Sequence, residues 1–76
     1  MSGNSGRVNA VRIQPIAGVG ALECTLVDDS GGITLVFLGR RKIDGIGIGS
    51  RMSVEGIAID HHGRLAIVNP VYRLES

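Results

Sequence analysis

Seventy-six residues make one small-cored domain and leave little room for a second lobe or a large ligand cavity. An apolar fraction of 43% beside 20% charged residues excludes a disordered tail, and eight basic against seven acidic residues, net +1, mean that distribution and not total charge must argue for any nucleic-acid partner. A lone cysteine, Cys24, excludes an intrachain disulfide and a thiolate metal cluster and makes a reduced, cytoplasmic protein the default.

Residues 1–6, Met1-Ser2-Gly3-Asn4-Ser5-Gly6, are polar, lack the apolar core of a signal peptide and read as a flexible leader to a domain over 7–76. No apolar run approaches the roughly 20 residues that span a bilayer, so no membrane partner is expected. Twelve glycines punctuate the chain, which favours many short strands over a few long helices. The first strand is expected over 7–14, ended by Pro15 and the small-residue turn Ala17-Gly18-Val19-Gly20. The second covers 21–28, with Leu22, Cys24 and Leu26 on one face and Glu23 and Thr25 on the other, the alternation of a half-buried strand. Asp28-Asp29-Ser30-Gly31-Gly32 then reads as a hairpin connection, because Asp and Ser side chains bond nearby backbone groups and glycine supplies positive φ.

The third strand, 33–38, is apolar on both sides: Ile33, Leu35 and Phe37 on one, Thr34, Val36 and Leu38 on the other. The connection over 39–50 holds Arg40, Arg41 and Lys42, then Ile43, Ile46 and Ile48 spaced by glycines, and suits an irregular or single-turn segment better than a stable helix. A fourth strand follows over 51–60, with Gly56 at a bulge or bend. The tip Asp60-His61-His62-Gly63 leads to a fifth over 65–73, interrupted by Pro70, which cannot donate to a ladder and belongs at an edge or beyond the pairing. Together these predict an all-β, five-stranded Greek-key barrel whose bottom is capped by Ile43, Ile46 and Ile48. Closure hides the apolar faces and edges that an open sheet of this size would expose.

Four stretches carry a family likeness: Leu26-Val27-Asp28-Asp29-Ser30-Gly31-Gly32-Ile33, Phe37-Leu38-Gly39-Arg40-Arg41, Gly49-Ser50-Arg51-Met52-Ser53-Val54-Glu55-Gly56, and Asn69-Pro70. On these, nearly the whole chain after Gly6 resembles the OB-fold nucleic-acid-binding domains. It is similar to small actinobacterial OB-fold proteins and to the OB wedge domain of RecG-type DNA helicases. The resemblance implies an OB barrel that binds single-stranded nucleic acid across strands two and three, between the loops over 16–20 and 61–64, beside a DNA-processing partner. The same framework also serves tRNA anticodon recognition, oligosaccharide binding and protein docking, so the likeness is more specific for fold than for ligand.

Single-strand binders combine cations that track phosphates with rings that stack bases. Arg40, Arg41 and Lys42 are the densest cation cluster. They either meet phosphate, which guanidinium groups bond bidentately, or form a solvated loop offset by Asp44. Arg12, Arg51, Arg64 and Arg73 extend a basic face if their directions agree. Phe37 shares the side of Ile33 and Leu35 and is expected in the core, while Tyr72 either covers the barrel end or offers its ring to a base.

His61 and His62 lack a Cys or carboxylate at ligand spacing and read as a polar hairpin tip, not a metal site. Cys24 alternates with Leu22 and Leu26, as a small buried hydrophobe does. Asp28 and Asp29 have no acid–base partner, and Gly45-Ile46-Gly47-Ile48-Gly49 lacks the lysine and helix of a phosphate loop.

The expectation is therefore a non-catalytic module with no catalytic residue, cofactor, metal or small-molecule substrate. It binds single-stranded DNA or RNA with low sequence selectivity through Arg12, Arg40, Arg41, Lys42, Arg51, Arg64 and Tyr72. A second expectation is a protein-interaction or homo-oligomerisation module, in which Thr34, Val36 and Leu38, or Ile46 and Ile48, meet another subunit or a DNA-processing protein.

Overall fold

The computed structural model describes residues 2–16 and 18–75. It is all-β, with no helix among the described residues. The strands are β1 (Ser2–Ile16), β2 (Val19–Asp28), β3 (Gly31–Leu38), β4 (Arg51–Gly56), β5 (Ala58–His61), β6 (Arg64–Val68) and β7 (Val71–Glu75). They form one seven-stranded sheet in the order β5-β6-β3-β2-β1-β4-β7. The β3 and β6 pair is parallel and the others are antiparallel.

The expected strand count is corrected from five to seven, because two runs break where their local chemistry requires it. The fourth run divides at Ile57: β4 pairs with β1 and β7, whereas β5 pairs with β6. Strands far apart in the sheet order are thus separated by a single residue of chain. Gly56 sits at this break, where a Cβ would collide with Cγ2 of buried Ile67. The fifth run divides at Asn69 and Pro70. Asn69 adopts φ 50°, donates its N–H to the Val36 carbonyl at 2.7 Å and accepts from the Leu38 N–H at 2.9 Å. It continues the contact with β3 beyond Val68 while the chain turns, and Pro70 stands in the gap before β7.

The β2–β3 and β5–β6 hairpin turns follow their sequence chemistry. Asp28 faces Gly31 across Asp29 and Ser30, and its Oδ1 accepts from the Ser30 N–H at 2.8 Å and the Ser30 hydroxyl at 2.6 Å. Of the two glycines expected to supply positive φ, Gly31 does so at 137°. His62 and Gly63, at φ 54° and 80°, make the left-handed two-residue turn that matches strand twist, and Asp60 Oδ1 accepts from the Gly63 N–H at 2.9 Å.

The expected leader is corrected as well: from Ser2 to Gly6 the chain is the first part of β1 and pairs with β4. Gly6 permits this, because a Cβ there would run into the Val27 carbonyl oxygen. β1 also continues through Pro15, which lies opposite Gly20. Met1 of the leader and Ala17 of the first turn lie outside the described residues.

The connection over 39–50 is irregular, as expected, and is fastened at both ends. Gly39 N–H donates to the Gly20 carbonyl, Gly49 N–H to that of Val8, and Val8 N–H to that of Ser50, each at 2.8 Å. Ile43 is buried and Ile46 packs against the core, but Ile48 is 77% exposed and caps nothing. Leu22, Cys24 and Leu26 of β2, Ile33, Leu35 and Phe37 of β3, and Val8, Met52, Val54 and Ile67 form that core. Thr34 and Val36, expected as contacts for another subunit, are also buried; Leu38 alone of that row is exposed.

Candidate functional site

Directly opposed residues in a ladder share a side of the sheet, so pairing register identifies the side away from the core. Arg12 of β1 lies opposite Glu23 of β2, which lies opposite Val36 of β3. Gln14 faces Ala21, Thr34 faces Ala66, and His61 faces Arg64. The core residues Leu22, Cys24 and Leu35 alternate with these and point the other way. The outcome is an open polar cleft of about 490 Å³ lined by Arg12, Gln14, Pro15, Glu23, Thr34, His61, His62 and Arg64.

An ion pair crosses this cleft: Arg12 Nη2 and Nε donate to Glu23 Oε1 at 3.0 and 3.2 Å. The Arg12 side chain is 64% exposed and that of Glu23 only 13%. Such a half-open pair is worth at most about 1 kcal/mol to stability, so its geometry matters more for what it presents than for what it holds. The His61 and His62 rings stand 4.4 Å apart between centroids at 68°, and Arg64 closes their turn. The cleft therefore offers guanidinium donors, a carboxylate acceptor, amide and hydroxyl groups, and two imidazole faces. Among the described residues no group of His, Cys, Asp and Glu is arranged to hold a metal ion.

Of the residues expected at the site, the structure brings Arg12 and Arg64 together and places the others elsewhere. Arg40, Arg41 and Lys42 are exposed on the 39–50 connection. Arg41 lies over Gly20, where a Cβ would come within 3.2 Å of its Nε. Gly20 and Leu22 share a side of β2, so Arg41 is across the sheet from the cleft. Arg51 lies on β4, opposite Arg7 on one flank and Glu75 on the other, and Arg73 lies opposite Ser53. Tyr72 turns to the core side, where its ring meets Phe37. The cations thus occupy separate regions and not one continuous face.

Gln14, Glu23 and Thr34 were missed as cleft residues. Alternation in β2 already set Glu23 apart from the core row, but its meeting with Arg12 depends on register between strands. Cys24 is buried as expected, and burial first, then the Glu23 charge, pushes its thiol up to about 11. Asp28 is an architectural residue: hydrogen bonds from the Ser30 side chain and backbone hold its carboxyl below the usual range.

A second, apolar cleft of about 450 Å³ lies where the chain passes from β4 to β5 and from β6 to β7. It is lined by Glu55, Gly56, Ile57, Ile59, Val68, Asn69 and Val71, and Ile57 and Val71 are 71% and 75% exposed.

Fold and cleft define a small all-β protein with an open polar face, and no helix among the described residues is long and apolar enough to cross a membrane. The chain matches no family model, no curated protein and no solved structure.

Proposed function

We propose that this chain is a non-catalytic OB-type module that binds single-stranded nucleic acid along the polar cleft. The strand order supports the OB reading. β1, β2 and β3 form a meander, β6 joins β3 in parallel, and β4 and β5, consecutive in the chain through Ile57, pair with β1 and β6 as the two halves of one bent strand would in an OB barrel, with β7 added outside β4. The observation that carries the functional reading is the cleft itself. It lies on the outer side of β1, β2 and β3, is bordered by the β5–β6 turn, and gathers Arg12 and Arg64 with His61, His62 and Gln14. Cations meet phosphates there, and imidazole and guanidinium planes take the stacking role that aromatic rings fill in other single-strand binders.

Fluorescence anisotropy with labelled single-stranded oligonucleotides tests this directly. Binding is expected at low salt and should weaken steeply as salt rises, because neutralised phosphates release counterions. Absence of binding at high protein concentration in low salt would refute the reading.

The apolar cleft favours a second reading, a module that docks on another copy of itself or on a DNA-processing protein through Ile57, Ile59, Val68 and Val71. Light scattering that reports a monomer at every concentration would remove the self-association form of this reading.

A further inference from the structure

We infer that a bound single strand leaves the polar cleft along β1 and ends on a second phosphate site, formed by Arg7, Arg51 and Arg73 on the outer side of β1, β4 and β7. The inference rests on the nucleic-acid reading above and extends its contact surface beyond the cleft. Arg7 of β1 lies opposite Arg51 of β4, and Ser5 lies opposite Ser53, which in turn lies opposite Arg73 of β7. Met52 and Val54 alternate with Arg51 and Ser53 and are buried in the core, so the arginine and serine rows point away from it. All three arginines are exposed.

Opposed side chains of a ladder stand about 5 Å apart at Cβ, and like charges placed there destabilise the pair. Arg7 and Arg51 are set in this way, and neither makes an ion pair among the described residues. The carboxylate nearest in register, Glu75 opposite Arg51, takes the Ser5 hydroxyl at 3.2 Å instead. Glu55 lies a row further on, between Gly3 and Val71. The two rows of the site thus hold three cations against one carboxylate. A phosphate relieves the repulsion, because guanidinium groups bond its oxygens bidentately and the Ser53 hydroxyl between them can donate as well.

Register joins this site to the cleft. Ala10 opposite Thr25 and Arg12 opposite Glu23 continue the outer side of β1, and the bulge between Val8 and Ala10 keeps Arg7 and Ala10 on that side while it bends the strand. Arg7 and Arg12 therefore stand about 15 Å apart along one strand, with exposed Ala10 between them, and β4 and β7 lead about 10 Å further. A single strand follows such a bend, which a duplex, stiff over about 150 bp, does not.

The test is fluorescence anisotropy of the whole chain with a labelled thymidylate hexamer, for the cleft alone, and a dodecamer, both within the roughly 4–16 nucleotides that one OB fold covers. The slope of log affinity against log salt is expected to be steeper for the dodecamer by at least about 1.4, two further phosphates at about 0.7 each. Replacing Arg7, Arg51 and Arg73 together by alanine should return the dodecamer slope to that of the hexamer and leave hexamer affinity within about twofold. Replacing Arg40, Arg41 and Lys42 removes the same charge and should leave the length difference in place. Where hexamer binding falls below detection, the dodecamer slopes of the two variants decide. Equal slopes for both lengths with the unaltered chain, a dodecamer slope that survives in the folded Arg7, Arg51 and Arg73 variant, or an equal loss in both variants would overturn the inference and leave binding in the cleft standing. No binding to either oligomer at low salt would overturn both.

Discussion

The rings of Phe37 and Tyr72 meet edge to face, with centroids 5.6 Å apart and planes at 85°. Phe37 is on β3 and Tyr72 on β7, strands that are not neighbours in the sheet, so the contact ties the outermost strand onto the core. Aromatic pairs of this geometry contribute about 0.5–1.5 kcal/mol beyond burial. Tyr72→Ala is expected to cost about 2 kcal/mol in urea unfolding, and Tyr72→Phe less than about 0.5 kcal/mol. Tyr72 is also the sole tyrosine in a chain without tryptophan, so it dominates the intrinsic emission. With its ring against Phe37 that emission is expected to stay constant as oligonucleotide is added; quenching at saturation would restore a base-stacking role.

Gly6 separates a strand from a leader experimentally. Its Cα faces the Val27 carbonyl so closely that Gly6→Ala must push β1 off β2, and a loss of about 2 kcal/mol is expected in chemical denaturation. Gly3→Ala is the control. An added Cβ there would meet Glu55 Cγ at an ordinary 3.9 Å, and stability should stay within about 0.5 kcal/mol. Equal, negligible effects at both positions would return residues 1–6 to the status of a leader.

The same segment illustrates what was legible in the sequence. Two-residue alternation marked β2, a short apolar run marked β3, Asp28 and the glycines marked their turn, and Gly56 and Pro70 marked breaks, because each of these signals acts within a few residues. Ser2 to Gly6 carries no apolar periodicity. It becomes strand because β4 offers a ladder, and Met52 to Gly56 supply partners 46 to 54 residues away in the chain, a relationship no local pattern records. The cleft divides in the same way. Arg12 and Arg64 could be nominated from charge alone, but the register that sets Arg12 against Glu23 and sends Arg41 to the other side of the sheet is a property of pairing.

Cys24 provides a pH test. Burial raises its thiol to about 11 from an ordinary 9.0, so the folded state holds this proton more tightly than the unfolded chain. Its contribution is complete below pH 9 and is lost as the pH rises toward 11, on the order of 2 kcal/mol across that window. Urea midpoints are expected to fall over this range, and Cys24→Ala should flatten the fall. Native protein at pH 8 should react with a thiol reagent at least tenfold more slowly than unfolded protein, since the thiolate is the reacting form.

Arg64 and the loop cations make opposite expectations under the two placements of the strand. Along the cleft, Arg64 faces phosphate, and Arg64→Ala should weaken oligonucleotide binding roughly fivefold for every sequence and lower the slope of log affinity against log salt by about 0.7. Arg41 is across the sheet, so replacing Arg40, Arg41 and Lys42 together by alanine should leave that slope nearly unchanged although it removes three charges. If net charge alone governed binding, the triple variant would lose about three times the slope lost with Arg64. Arg12→Ala separates the pair from its charge: it removes one cation and also leaves the low-lying Glu23 carboxylate unopposed in the path of the strand. Its affinity loss should therefore exceed that of Arg64→Ala, and adding Glu23→Gln to it should recover part of the loss. Two additive single effects would show that Arg12 acts as a surface charge alone.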